Sequence, residues 1–254
     1  MSQIMNISDP GFQIETPLPL PEDEVQLWRI DLEALGTDES RWQKLLSSDE
    51  LERAARFHFP QDRQRFVASR ALLRTILAAY LAGNQATTPG GLSFSYSDKK
   101  KPSLGPAHEG SNITFNISHS GGIALLAFTR GRAIGVDVEQ ARSNFDLEAI
   151  ARRFFSPAEQ KQLAALPAGK KADGFFRCWT RKEAYIKATG KGLSLPLSQF
   201  DVALEPGESS ALLATRPDTS EAGRWLLREV SAGPGYIAAL CVRGQDWKLL
   251  DWKL

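Results

Sequence analysis

The 254-residue chain is 42% hydrophobic and 24% charged, an ordinary globular composition with length for one large domain or two small ones. Its formal net charge of +1 excludes a global field that would draw it to nucleic acid or to an anionic membrane, so electrostatic recognition has to be local. Cys178 and Cys241 lie far apart in apolar or aromatic surroundings and read as buried free thiols in a reducing compartment.

Residues 1–24 carry Pro10, Pro17, Pro19 and Pro21 without periodicity and read as an extended or disordered arm. They show neither the basic start nor the apolar core of a secretory signal. The longest apolar stretch, residues 71–82, is short and contains Arg74, so it cannot span a bilayer. A cytoplasmic protein is expected.

Residues 25–32 alternate apolar and polar like a strand. A serine-capped helix with acids in its first turn starts at Ser48, and a long helix over residues 63–82 closes at Gly83. Residues 113–120 and 122–129 read as a hairpin around Gly121 and Gly122, with a further strand at 133–140. Helices return at 147–154, at 156–166 behind Ser156 and Pro157, and at 172–190, where Gly190 is the expected cap. Strand patterns occupy 198–204, 224–230, 235–243 and 247–252.

The order strand, capped helix, long helix thus occurs twice, at 25–83 and 133–190. The long helices align with Phe66 over Phe176 and Ile76 over Ile186, which places Leu72 opposite Lys182 and Leu73 opposite Glu183. The pattern suggests an α+β pseudo-dimer of two similar halves, residues 25–132 and 133–254. Only the second half carries charges at these helix positions, which favours one site at the junction.

Asp137 and Glu139 lie two apart on a strand and share a face. Adjacent carboxylates repel unless protons or a cation separate them, and Mg²⁺ is a natural cation for oxygen ligands. Alone, the pair also suits a solvated strand face. Glu183 and Lys187 share a helix face. Such pairs are common on exposed helices, but Phe175, Phe176, Trp179, Tyr185 and Ile186 bury much of this one. Glu183 with Lys182 and Lys187 on a small polar face suits a metal ligand flanked by phosphate-binding cations.

Ser118 and His119 close a strand beside a turn; both are ordinary turn hydrogen-bonders, and both bind oxygen well beside a diphosphate. Three histidines without Cys/His spacing argue against zinc. Lys99, Lys100 and Lys101 before Pro102 read as an exposed turn or as a grip on a further phosphate. Arg53, Arg56, Arg63, Arg65 and Arg70 admit the same two readings. No Gly-x-Gly-x-x-Gly or P-loop pattern is present.

Taken together, "GVDVE", "FFSPAE", "WTRKEAYIKATGKGL" and "FNISHSGG" resemble the 4′-phosphopantetheinyl transferases of the large, single-chain, surfactin-synthetase-activator type. That family's fixed positions are matched by Gly135, Asp137, Glu139, Trp179, Lys182, Glu183, Ala184, Lys187, Gly190, Gly192 and Leu193. The resemblance runs from about residue 25 to the end of the sequence and implies a pseudo-dimeric α+β fold with the site between the halves. It implies coenzyme A as donor, Mg²⁺ as cofactor and a serine of an apo acyl or peptidyl carrier protein as acceptor, with 3′,5′-ADP released by a monomeric enzyme.

By the same resemblance, Asp137, Glu139 and Glu183 hold Mg²⁺, Lys182 and Lys187 neutralise phosphate oxygens, and Ser118 and His119 contact the phosphates. Glu183 is also the candidate base, with Lys187 beside it in catalysis. Lys101 falls near the adenosine and Arg53 near the 3′-phosphate. Glu50 departs from the pattern, standing where related members can carry lysine, which shifts the 3′-phosphate contact to Arg53, Arg56 or Arg65. Two alternatives remain at this level: a Mg²⁺-dependent nuclease or phosphohydrolase, for which no broad basic groove is evident, and a non-catalytic module that binds coenzyme A or a carrier protein.

Overall fold

A computed structural model of the chain describes residues 14, 17–36, 39–82, 87–142, 146–207 and 211–254, and the backbone of 2–4. The first part holds strands β1 (Ser2–Ile4) and β2 (Glu24–Asp31), then helices α1 (Ser40–Gln43), α2 (Ser48–Ala55) and α3 (Pro60–Leu81). Strands β3 (Phe94–Tyr96), β4 (Pro102–Leu104), β5 (Ile113–Ser120) and β6 (Ile123–Arg130) follow. The second part opens with β7 (Ile134–Gln140) and helices α4 (Leu147–Phe154), α5 (Pro157–Ala165) and α6 (Lys171–Thr189). It ends with β8 (Phe200–Val202), β9 (Leu212–Thr215), β10 (Trp225–Val230), β11 (Tyr236–Arg243) and β12 (Lys248–Lys253).

Two sheets form the frame, in the orders β1-β12-β2-β6-β5 and β10-β11-β7. Strand side chains alternate, and here both faces of the strands are buried. Trp28, Ile30, Leu126 and Phe128 face a core shared with α3, whereas Val25, Leu27, Leu125 and Ala127 face the other way. The second set meets Val136, Val138, Ala238, Leu240 and Val242 from the other sheet in a common core. From that sheet's opposite face, Ala239 and Cys241 pack with Phe175, Phe176 and Tyr185 of α6. Each fully buried valine, leucine, isoleucine or phenylalanine is worth about 1.5–3 kcal/mol, so the common core resists separation of the two halves. The α+β architecture of two similar halves therefore stands.

The arm and the last strand differ from the sequence reading. Part of the expected arm, residues 1, 5–13, 15 and 16, lies outside the described residues, as does the expected cap Gly83. The remainder is tied down: Leu20 is buried, the Leu18 N–H donates to the Ala79 carbonyl (3.1 Å) and Arg130 Nε donates to the Leu20 carbonyl (2.8 Å). Strand β12 crosses back to pair in parallel with β2 of the first sheet, and β1 pairs in parallel with β12. A polar network explains this choice. Trp252 stacks on Trp28 at 4.7 Å and 8°, and its Nε1 donates to Gln26 Oε1 (3.0 Å). The same oxygen accepts from the Tyr80 hydroxyl (2.7 Å), which accepts from Trp28 Nε1 (2.8 Å). These pairings are long-range and leave no local pattern. Strands β3, β4 and β9 are too short for alternation to be read.

The halves also meet along β5 and β7. The N–H groups of Val136, Val138 and Gln140 donate to side chains of β5, namely Asn116 Oδ1 (2.9 Å), Ser118 Oγ (3.4 Å) and Ser120 Oγ (3.1 Å). Spacing of two along both strands makes this a ladder with side chains on one rail. Cys178 and Cys241 are free and fully buried, and burial pushes both thiols up. Among the described residues, no helix is long and apolar enough to cross a membrane.

Gly135 sets how closely α6 lies on β7. A Cβ there would fall 2.1 Å from the Ala184 carbonyl oxygen and 2.3 Å from the Ala188 nitrogen, backbone atoms that cannot swing aside. Gly135→Ala is expected to cost about 3 kcal/mol of unfolding free energy, the upper part of the usual overpacking range. Urea denaturation measures it; an unchanged midpoint would show that helix and strand do not pack this closely.

Candidate active site

A cleft of ≈ 910 Å³ opens between the halves, within the size range of cofactor sites. Arg53, Phe66, Tyr96, Ser118 and His119 line it from the first half, and Glu183, Ile186 and Lys187 from the second. The β3–β4 loop adds Lys99, Lys100 and Lys101.

At one corner the carboxylates of Asp137, Glu139 and Glu183 all feel the charge of Lys187, and Asp137 contacts it. Asp137 lies on β7 under α6 and is almost fully buried. Its Oδ1 accepts from Lys187 Nζ (2.6 Å) and Ser118 Oγ (3.0 Å), while Oδ2 is buried with no hydrogen-bond partner among the described residues. Burial raises the Asp137 pKa, and Lys187 opposes that rise. Glu139, two residues on, accepts from Ser120 Oγ at Oε2 (2.8 Å), and burial raises it as well. Glu183 lies one helical turn before Lys187. Burial, with the negative charge of Asp137 next, pushes its carboxyl up to about 7. Lys187 Nζ also donates to Ser118 Oγ (3.2 Å) and the Val136 carbonyl (3.3 Å). Helix α6 ends at Gly190 in the left-handed conformation expected of a glycine cap, φ 70°.

Both halves match known models, the "4′-phosphopantetheinyl transferase, N-terminal" family over residues 37–130 and the "4′-phosphopantetheinyl transferase superfamily" over 133–241. The chain is 44% identical over 238 residues to the 4′-phosphopantetheinyl transferase HetI of Nostoc sp., covering 92% of this chain and 94% of the relative. It is 32% identical to the 4′-phosphopantetheinyl transferase Sfp of Bacillus subtilis, covering 83% and 88%. The chain belongs to the 4′-phosphopantetheinyl transferase superfamily.

The structure brings Asp137, Glu139, Glu183, Lys187, Ser118, His119 and Arg53 of this transferase to the cleft or its corner. Lys182 is not among them. It is fully buried, with Nζ donating to the carbonyls of Leu197 (2.6 Å) and Phe200 (2.8 Å) and pairing with Glu159 Oε1 (2.8 Å). The 100° step from Glu183 turns Lys182 toward the interior, where Glu159 and the two carbonyls already meet its charge. Lys182 braces α6 and is not placed to meet a phosphate.

Glu50 has the matching role in the other half. It sits in a capping box with Ser47, is buried, and pairs with Arg70 (2.6 Å) and Arg74 (2.6 Å) of α3. Ser156 and Glu159 form the equivalent box before α6. In each half, therefore, the buried box glutamate anchors the long helix through its cations. Among the expected arginines, Arg56 is exposed beside Glu52, Arg63 pairs with Glu39 and Arg65 with Glu33. Arg53 lies over the Phe66 ring at 5.1 Å and lines the cleft.

Lys101 reaches the cleft in a different way from that expected. Its Nζ donates to the carbonyls of Ile134 (3.0 Å) and Lys187 (2.6 Å), stitching the β3–β4 loop to the second half, and burial draws its pKa down to about 8. The sequence reading missed Asn116, Ser120, Ser69 and Tyr96. The first two stand two residues to either side of Ser118 and so share its face, a signal that alternation could have supplied.

Two outcomes are expected. Lys182→Met leaves the buried Glu159 without its counter-ion, which costs about 3 kcal/mol of stability without altering coenzyme A affinity. Urea denaturation beside calorimetric titration tests this, and weakened coenzyme binding with unchanged stability would return Lys182 to the phosphate. Secondly, the raised Glu183 carboxyl means that the folded state binds more protons than the unfolded between pH 4.5 and about 7. That contribution is full below pH 4.5 and is lost as pH rises through 7. In EDTA, the stability advantage of Glu183→Gln over the parent is therefore expected to widen from pH 4.5 to 7 and then level off. Parallel pH–stability curves would contradict the shift.

Proposed function

We propose that this transferase moves the 4′-phosphopantetheine group of coenzyme A to a serine of an apo acyl or peptidyl carrier protein, with Mg²⁺, releasing 3′,5′-ADP. The observation that carries the reading is the carboxylate corner itself: Asp137 keeps a buried oxygen without a hydrogen-bond partner among the described residues, and it is joined through Lys187 to the cleft that Lys187 and Glu183 line.

Among the described residues, no group of three or more His, Cys, Asp or Glu is already gathered as a metal site. Mg²⁺ takes oxygen ligands and draws part of its shell from water and substrate phosphates, so carboxylates beside a phosphate-binding cleft suit it. Asp137, Glu139 and Glu183 are the residues that would hold it. When bound, the ion supplies positive charge to the pyrophosphate oxygens.

The remaining chemistry belongs to side chains. The carrier serine hydroxyl attacks the β-phosphorus, the bond to the leaving phosphate breaks, and 3′,5′-ADP departs. Glu183, with its carboxyl near 7, is suited to take the serine proton at neutral pH. Lys187 offsets charge on the phosphate oxygens, and His119 and Arg53 offer donors along the cleft. Lys99 and Lys100 add positive charge on the loop wall. Because one chain supplies both walls of the cleft, the enzyme is proposed to act as a monomer, in the cytoplasm. Fatty-acid, polyketide and peptide-synthetase carriers all fall within the acceptor class.

Intact mass of an apo carrier protein tests the reading after incubation with coenzyme A and Mg²⁺. A gain of one phosphopantetheine, abolished by EDTA and by Asp137→Ala or Glu183→Gln in folded protein, is expected. Near-normal turnover by either variant would sink the site assignment.

A further inference from the structure

The cleft residues do not account for Ser120. It does not line the cleft, yet its Oγ makes two bonds across the seam between the halves. It accepts from the Gln140 N–H (3.1 Å) and donates to Glu139 Oε2 (2.8 Å). Ser118 repeats the arrangement one step earlier, accepting from the Val138 N–H (3.4 Å) and donating to Asp137 Oδ1 (3.0 Å). Each serine of β5 thus holds β7 by a backbone group and by the carboxylate of the residue just before it. Asn116 holds only the backbone, at the Val136 N–H (2.9 Å).

From this geometry we propose that Ser120 is a positioning residue for the metal centre, orienting the Glu139 carboxylate from the opposite half of the molecule. The proposal rests on the reading of Asp137, Glu139 and Glu183 as Mg²⁺ ligands. Glutamate has three rotatable side-chain bonds, so an unanchored Glu139 samples many directions, most of them unproductive for a metal. A hydroxyl donated to one carboxylate oxygen restricts that sampling and leaves the other oxygen to coordinate. Residues that hydrogen-bond to metal ligands typically change metal affinity by about 10- to 100-fold when removed. The shorter aspartate is already held by Ser118 and Lys187, whereas Ser120 is the hydrogen-bond donor that the described residues give the Glu139 carboxylate.

The test is Mn²⁺ binding followed by electron paramagnetic resonance in the presence of coenzyme A, with thermal melting as a check on folding. Ser120→Ala is expected to raise the Mn²⁺ Kd about tenfold. Ser120→Thr, which keeps the hydroxyl, should bind near the parent level. Coenzyme A affinity in EDTA should not change. In a Glu139→Ala background the Ser120→Ala change should add nothing, because the serine acts through that carboxylate. If Ser120→Ala does not fold, Ser120→Cys takes its place, since a thiol is only a weak donor.

Unchanged Mn²⁺ affinity in Ser120→Ala, or an undiminished effect in the Glu139→Ala background, would overturn the proposal while leaving the metal centre in place. A fall in coenzyme A affinity in EDTA would assign Ser120 to the substrate instead. Absence of Mn²⁺ binding by the parent protein would overturn the metal reading itself, and this proposal with it.

Discussion

Everything at the cleft depends on how β7 satisfies its free edge. One side of the strand pairs with β11 in a normal antiparallel ladder. The other side faces the first half, and buried N–H groups there must find partners. Asn116, Ser118 and Ser120 provide them with side-chain oxygens at spacing two, while Lys101 and Lys187 take the carbonyls of Ile134 and Val136. A backbone ladder would draw two strands to about 4.8 Å. Between β5 and β7 the rungs are side chains instead, and the hydroxyl rungs have a proton left for Asp137 and Glu139. Joining the halves and aiming the carboxylates are thus one set of contacts.

Burial organises the charges as strongly as pairing does. Helix α6 presents Glu183 and Lys187 to the cleft and Lys182 to the interior, a division set by the 3.6-residue turn. The interior lysine is tolerable because Glu159 and two carbonyls meet it. In the first half Glu50 performs the same service for Arg70 and Arg74. Breaking such pairs is expensive, so these residues secure the long helices on their sheets. With the helices fixed, Gly135 lets α6 approach β7 closely enough for Lys187 to reach Asp137.

What could be read from the sequence follows from the range of the forces involved. Helix α6 with its glycine cap, the β5–β6 hairpin and the shared face of Asp137 and Glu139 all rest on neighbours within a few residues, and each appears where expected. The repeated strand, capped helix and long helix were visible for the same reason. Lys182 was misplaced because a lysine's partner cannot be read when it lies 23 positions earlier, in another helix (Glu159). Glu50 looked like a departure from the family pattern for want of the arginines that bury it. The tethered arm and the return of β12 depend on contacts across most of the chain, such as Trp28 with Trp252.

The parallel pairing of β12 with β2 has a consequence for how the molecule is made. Translation delivers domains from the N-terminal side, and a half that folds alone can do so while the rest is still being synthesised. Here β2 gains its second neighbour only when residues 248–253 have left the ribosome. Until then, the nascent first half carries an open sheet edge beside Trp28, whose stacking partner has yet to be translated. The first half to be made is therefore among the last to be finished.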